Sequence, residues 1–425
     1  MKKRLIKFIE KYLYDLAQKR LRNKDTFIIA ITGSAGKTST KEAVRVLLES
    51  FFKDRVFSSH GNMNESVGIP MAVLGFESIP TKTGWPKVLF EARKKAKTKN
   101  FPDYLVLEMG VEKPGDINYF TGLVKPNIAI ITNIGPAHLE QLKNVDGVLK
   151  EKTELFRSLN DEGIAIYNRD DKKLCEYLQD SKQRSVSFGF SKEANVSGRI
   201  VRRDADGTLF EVSYKDTKKQ FKTKIIADHL LYSILAAMAV AVAMKLDFDK
   251  SIYAMRDLKS LPGRMNLISG IKESTILDDS YNANPISTLA ALETLKIFDH
   301  TGRKVAVIGN MNELGILEGK AHRVVAEAAA LVCKQLIFIG PNAKLMKEAA
   351  LKMADKERIK GLKVDIFDTT SRAVISLDEL IQKNDIILIK ASQNKMRFEK
   401  IVEALMAKPE EAKDKLVRQG KRWHS

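Results

Sequence analysis

A lysine and a threonine stand directly behind two closely spaced glycines in Thr32-Gly33-Ser34-Ala35-Gly36-Lys37-Thr38-Ser39. Glycines let the backbone close on a polyphosphate, and N–H groups at a helix start then point at its oxygens. Lys37 is long enough to reach the outer phosphates, and the Thr38 hydroxyl is placed to ligate Mg²⁺. The chemistry implied is binding of ATP or another nucleoside triphosphate. A plain turn between strand and helix is the simpler alternative, but it has no use for Gly-Lys-Thr. The positioning elements are visible on both sides. An apolar run from Phe27 to Ile31 reads as a buried strand, and Glu42, Ala43, Val44, Val46, Leu47 and Leu48 carry helical spacing. The eight-residue loop G-x-x-x-x-G-K-[ST] needs glycine where Ile31 stands, so this loop is shorter and opens at Gly33.

Further groups follow in chain order. The turn-rich stretch 58–70 sets Asn62 and Asn64 near the expected phosphate site, and a second apolar strand ends in Glu108. A carboxylate at the end of a parallel strand beside such a loop can bind Mg²⁺, since ligands gather at strand ends. A third strand, 127–131, runs into a loop with His138, and a helix over 145–159 carries Lys150-Glu151-Lys152-Thr153-Glu154, by itself a solvated charged face. Another strand ends in Asn168, Asp170 and Asp171. Residues 199–226 read as a β-hairpin turning at Asp206 and Gly207, and a helix follows over 230–244. Pro262 and Gly263 mark a boundary beside Arg264. Beyond it, strands at 304–308, 336–339, 364–367 and 386–389 alternate with helices. The fold expected is α/β: a P-loop central domain with a mostly parallel sheet, then a Rossmann-like C-terminal α/β domain. Boundaries fall at 1–25, 26–262 and 263–425.

Composition sets the outer limits. A chain of 425 residues, 44% hydrophobic and 29% charged, belongs to a soluble globular protein of two or three domains. Two cysteines, Cys175 and Cys333, support neither a disulfide framework nor a cysteine zinc site. With no run of ~18 apolar residues and no signal-peptide core, the cytoplasm is the expected compartment. The net charge of +19 is spread along the chain, favouring anionic small substrates over nucleic acid. At the front, Leu5, Ile6, Ile9, Leu13, Leu16 and Leu21 recur at helical spacing in a basic segment, an amphipathic helix that either packs on its own domain or contacts the inner face of a membrane.

Taken together, Thr-Gly-Ser-x-Gly-Lys-Thr, Asn62-x-Asn64 with Gly68 and Pro70, Leu-Glu108-Met-Gly, Thr132-Asn-Ile with His138, and Asp279-x-Tyr281-Asn282-Ala-Asn284-Pro resemble the Mur ligase family. The last segment resembles the branch that adds D-alanyl-D-alanine to a UDP-muramoyl-tripeptide. The resemblance runs from about residue 26 to about residue 400. It implies an ATP-dependent amide ligase of peptidoglycan precursor synthesis, with Mg²⁺ and, on Lys152, a carbamate. By position, Gly33, Ser34, Ala35, Gly36, Lys37, Thr38 and Ser39 would bind ATP, with Arg264, Asp279, Tyr281, Asn282 and Asn284 on the nucleotide side. Thr38, Glu108, His138 and Lys152 would be metal ligands, with Lys37, Lys152 and His138 the catalytic set. Asn62, Asn64, Lys390 and Ser392 would meet substrate. The partners implied are an anionic muropeptide-type nucleotide and a dipeptide amine, with closure about Gly263 excluding water. Only ~30 residues precede the loop, so the family's N-terminal UDP-gripping domain is expected to be absent. Folylpolyglutamate synthase shares a two-domain layout and is the rival within the class. The rival outside it is a basic ATPase or scaffold on membrane or nucleic acid.

Overall fold

The computed structural model describes residues 2–22, 25–59, 63–80, 84–98, 101–204, 207–392 and 396–419. The chain divides into two compact units, one built mainly from 1–258 and the other from 259–425 with two short pieces, 203–207 and 225–228.

The first unit opens with helix α1 (Lys2–Leu21). Its strands are β1 (Phe27–Thr32), β2 (Val56–Ser58), β3 (Tyr104–Glu108), β4 (Ile128–Ile131), β5 (Ile164–Asn168), β6 (Ser185–Gly189), β7 (Val196–Asp204), β8 (Gly207–Tyr214) and β9 (Thr217–Thr223). They lie in the order β2-β3-β1-β4-β5-β6-β7-β8-β9. β1 pairs in parallel with β3 on one side and β4 on the other. That explains its unbroken apolar run, because helices cover both faces of a parallel sheet. The register sets Ile31 opposite Glu108 and Thr32 opposite Ile131, so three strand ends come level. Helix α2 (Lys37–Phe52) leaves from that level and buries Ala43, Val44, Leu47 and Leu48.

One expectation is corrected here. Residues 199–226 do not form a single hairpin: β8 and β9 make an antiparallel pair of their own, Tyr214 opposite Thr217. The turn between them uses Lys215 at φ 50°, a left-handed conformation without a glycine to mark it. Gly207 opens β8, while Asp206 lies outside the described residues.

Helix α1 packs on its own unit. Ile9, Leu13 and Ala17, spaced by four, are buried at 7%, 0% and 0% exposure. At its far end Arg20 is buried, with its guanidinium 4.5 Å from the Phe101 ring centroid and donating to the Leu74 carbonyl.

The second unit carries β10 (Asn266–Ser269), β11 (Thr275–Asp279), β12 (Lys304–Gly309), β13 (Gln335–Ile339), β14 (Lys363–Phe367) and β15 (Ile386–Lys390), in the order β10-β11-β15-β12-β13-β14. All pairings are parallel except β10 with β11. Helices Pro285–Ile297, Glu318–Val332, Ala343–Lys356 and Thr370–Leu380 make the crossovers. This is the alternating α/β sheet expected, and its β11–β15 register sets Asp279 opposite Lys390.

The α1 contact yields a stability test. Leu13→Ala removes a fully buried side chain and should destabilise the first unit by about 2–5 kcal/mol, read as a lower denaturant midpoint. An unchanged midpoint would mean that α1 is not part of the unit's core.

Candidate active site

The glycine loop is held by the residues that follow β4. Thr132 Oγ1 donates to the Ala35 carbonyl at 2.6 Å, Asn133 Nδ2 donates to the same oxygen at 3.1 Å, and Asn133 Oδ1 accepts the Ala35 N–H at 2.9 Å. Ser34 Oγ donates to the Gly135 carbonyl at 2.9 Å and accepts the Gly135 N–H at 3.0 Å. A Cβ on Gly33 would stand 1.8 Å from Thr132 Oγ1, so this approach requires glycine. Ser34 and Ala35 therefore shape the loop. Gly36, left-handed at φ 79°, caps α2 without a side chain over its first N–H groups. Residues 35–39 are half-buried, and Lys37 Nζ donates to the Gly33 carbonyl at 2.8 Å. A helix start with this cap and a lysine folded over the loop suits an anion.

Beside it lies Glu108, 3% exposed. Its Oε1 accepts from Thr38 Oγ1 and from Asn64 Nδ2, each at 3.2 Å. Its Oε2 is buried and accepts no hydrogen bond from the described residues. An ionised oxygen in that state is costly unless a cation or donor reaches it. Carboxylate and hydroxyl oxygens are the donors a hard cation such as Mg²⁺ takes, so Thr38 and Glu108 fit one. Among the described residues no group of three or more His, Cys, Asp or Glu side chains stands close enough to hold a metal. His138 is half-buried at φ 52°, capping the short helix Leu139–Leu142. Asn62 lies outside the described residues.

Lys152 is not on a solvated face. It is 1% exposed in the helix Val145–Arg157. Burial, then the like charge of Lys37, push its ammonium well below the ordinary lysine range, against the pull of Glu151. A shift in that direction favours the neutral, nucleophilic form of the amine. Glu151, likewise read as solvated, accepts the N–H groups of Gly115 and Ile117, both at 2.9 Å, and so caps the helix Asp116–Leu123. The carboxylates after β5 are structural as well: Asp171 accepts the Ile134 N–H at 2.6 Å, steadying the loop that also carries His138.

The second unit gathers the other group of expected residues. Lys390 Nζ, 2% exposed, donates to Asp279 Oδ2 at 2.5 Å and to the Asn282 carbonyl at 2.9 Å. Burial lowers the Lys390 pKa while Asp279 opposes it. Ser392 Oγ donates to the Ala283 carbonyl at 3.1 Å and accepts the Asn312 N–H at 2.9 Å. Asn284 and Ser287 form a capping box on the helix Pro285–Ile297, with Asn284 Oδ1 accepting the Ser287 N–H at 2.8 Å. The Asn284 oxygen is thus occupied by the helix end. Asn282 is exposed. The Arg264 guanidinium lies 4.4 Å from the Tyr281 ring centroid, and that of Arg418 lies 5.4 Å from it. Arg418 donates to the Tyr281 carbonyl at 2.7 Å and to Glu399 Oε2 at 3.1 Å. Arg418 carries no sequence signal, and the Thr132-Asn-Ile motif does not reveal that Thr132 holds the loop, since their value lies in contacts 137 and 97 positions away.

Asp278 ties the corner together. Its Oδ2 accepts the Gly263 N–H at 3.0 Å and its Oδ1 the Ser280 N–H at 3.1 Å. Gly263, at φ 68°, leaves no room for a Cβ, which would stand 3.0 Å from the Tyr281 nitrogen. Burial pushes the Asp278 carboxyl up from 3.8 to about 6. The folded chain therefore holds this proton over a range where the unfolded chain has lost it. Stability should fall as pH rises from about 4 to about 6 and then level, by on the order of 3 kcal/mol for this group. Asp278→Asn should remove that slope in urea titrations across the window, and an unchanged slope would assign it to other groups.

Two sequence models match the chain: the Mur ligase middle domain over residues 31–241, and the Mur ligase, glutamate ligase domain over 263–393. The UDP-N-acetylmuramoyl-tripeptide–D-alanyl-D-alanine ligase of Bacillus subtilis (strain 168) is 29% identical over 402 residues, covering 93% of this chain and 79% of that protein. The crystal structure of MurF ligase from Thermotoga maritima in complex with ADP superposes with a TM-score of 0.76 at 25% identity, over 95% of this chain and 84% of that one. A Mycobacterium tuberculosis folylpolyglutamate synthase, complexed with ADP and AMPPCP, superposes at 0.64 and 16% identity over 91% of this chain and 92% of that one, a likeness of fold alone.

Proposed function

The chain belongs to the Mur ligase family, and from that premise we propose that it joins D-alanyl-D-alanine to the terminal carboxylate of a UDP-muramoyl-tripeptide at the expense of ATP. The observation that carries this reading is the gathering of Lys37, Thr38, Glu108 and Asn64 at one end of the sheet, with a buried lysine that feels the Lys37 charge. An ATP-binding scaffold has no use for that last feature. Residues 26–262 serve the ATP phosphates, and residues 263–425 serve the incoming amine and the rest of the nucleotide.

The chemistry follows from the carboxylate. Its delocalised charge repels an amine, and expulsion of oxide is prohibitive. Transfer of the ATP γ-phosphoryl group to a carboxylate oxygen gives an acyl phosphate and ADP. The amine then attacks the acyl carbon, the tetrahedral intermediate expels phosphate, and the amine proton is lost. The α2 N–H groups and Lys37 hold the phosphates and spread the charge that develops on the transferring group. Mg²⁺, held by Thr38 and Glu108 with His138 as a further ligand, would supply additional charge neutralisation. Asn64 orients Glu108. Lys152, whose neutral form burial favours, is suited to add CO₂: an N–C bond forms, one amine proton leaves, and a carbamate anion replaces a would-be cation beside Lys37. In the second unit, Arg264, Tyr281 and Asn282 meet the nucleotide, while the Asp279–Lys390 pair and Ser392 set the loop for the amine. Asn284 acts through the helix it caps. No helix among the described residues is long and apolar enough to cross a membrane.

Phosphate release with Mg²⁺-ATP and UDP-muramoyl-tripeptide should depend on D-alanyl-D-alanine, with a product heavier by one dipeptide less water. Tight ATP binding without that coupling would overturn the substrate pair and direct the search to other carboxylate and amine pairs, folate-type acceptors first. Lys37→Ala should lower turnover at least about a hundredfold, the scale of one lost charge contact in a transition state. Lys152→Ala should be inactive and partly rescued by short carboxylates; full activity without bicarbonate or added carboxylate would sink the carbamate.

A further inference from the structure

We infer that the first turns of α1 dock on an anionic phospholipid bilayer. The stripe that fastens α1 to its unit, Ile9, Leu13 and Ala17, continues by helical spacing to Leu5 and Ile6, four and three positions before Ile9. There it is uncovered: Leu5 is 60% and Ile6 52% exposed, and Phe8 beside them is 62% exposed. The Phe8 ring stacks on Tyr12 with centroids 6.2 Å apart, which extends the apolar surface along the helix. Around this tip the sequence sets Lys2, Lys3, Arg4, Lys7 and Lys11, and of these Arg4, Lys7 and Lys11 are exposed. Glu10 is the one acid over residues 2–11, and it accepts from Ser66 Oγ at 2.8 Å.

Apolar side chains inside a cationic collar match one partner in both respects. A bilayer surface takes Leu5, Ile6 and Phe8 among its acyl chains while anionic headgroups meet the cations. Nucleic acid would satisfy the charge and leave the three apolar side chains in water. A second copy of this chain would bury them but set like charges against each other. The contact is peripheral, since α1 is too polar to cross a membrane.

The position of the tip gives the contact a direction. Glu10 bonds Ser66, and Asn64, two residues earlier, donates to Glu108 at 3.2 Å, so the tip lies at the glycine-loop end of the sheet. The other end of α1, at Gln18, Leu21 and Arg22, lines a cavity with Phe27 and Tyr104, where β1 and β3 begin. Docking through the tip therefore turns the loop, Glu108 and Asn64 toward the lipid surface. This step does not depend on which acyl acceptor the enzyme uses.

The test is co-sedimentation of the full chain with vesicles of phosphatidylglycerol and phosphatidylcholine against phosphatidylcholine alone. Binding is expected only with the anionic lipid, and should weaken as salt rises from about 50 to about 500 mM, which shortens the reach of surface charge. Leu5→Ser, Ile6→Ser and Phe8→Ser combined should lower partitioning about tenfold or more, with the melting temperature and ligase turnover unchanged. Lys7→Glu with Lys11→Glu should lower it too. Lys37→Ala should bind vesicles as the parent does, which separates this inference from the reading of the active site. Absence of binding to anionic vesicles, or equal binding by the triple variant, overturns it. So does RNA binding that the triple variant retains, or a lipid-free dimer that the triple variant loses.

Discussion

Parallel pairing of β1 between β3 and β4 is the constraint on which the first unit depends. It brings three chain segments to one level, so the glycine loop after Thr32, the carboxylate of Glu108 and the Thr132-Asn133 pair meet without any long connection. Each then acts on another. Thr132 and Asn133 hold Ala35, Glu108 accepts from Thr38, and Gly33 has its tight approach because Thr132 is there. The β-sheet sets the separations of these side chains more precisely than loops alone could.

Burial supplies the electrostatics. Among the described residues Glu108 has one oxygen without a donor, and Lys152 is buried with the like charge of Lys37 acting on it. Both are unfavourable for stability taken singly, and both are the kind of cost that a site carries when a cation or a reactive amine is wanted there. Glu151, adjacent to Lys152, spends its charge on a helix start and so contributes firmness to the same helix.

The second unit solves a similar problem with a different device. Asp279 and Lys390 face each other across β11 and β15, both nearly out of water, and the pair is completed by the Asn282 carbonyl. Asp278, one residue earlier, points to the opposite side of the strand and holds Gly263. Alternation along β11 thus lets two successive carboxylates do separate work, one on the loop before the strand and one on the strand beside it. Arg418 then fixes Tyr281 from the far end of the chain, and its buried partner Glu399 keeps it in place.

By itself the sequence determined the α/β alternation, the glycine loop between strand and helix, the Glu108 strand end and the family. Those depend on local signals: apolar runs, glycine spacing and a lysine-threonine pair close together in the chain. The Lys215 turn stayed hidden because its left-handed backbone has no glycine, and the resemblance that set Asn284 on the nucleotide side did not show that its oxygen also closes a helix cap. Only the tertiary structure decided that Lys152 and Glu151 are buried, that Thr132 and Asn133 build the loop, and that Asp278 governs Gly263. The physical reason is common to all of these. Burial and hydrogen-bond partners are set by segments distant in sequence, and a charged residue on a helix reads as solvated until the fold shows which face is covered.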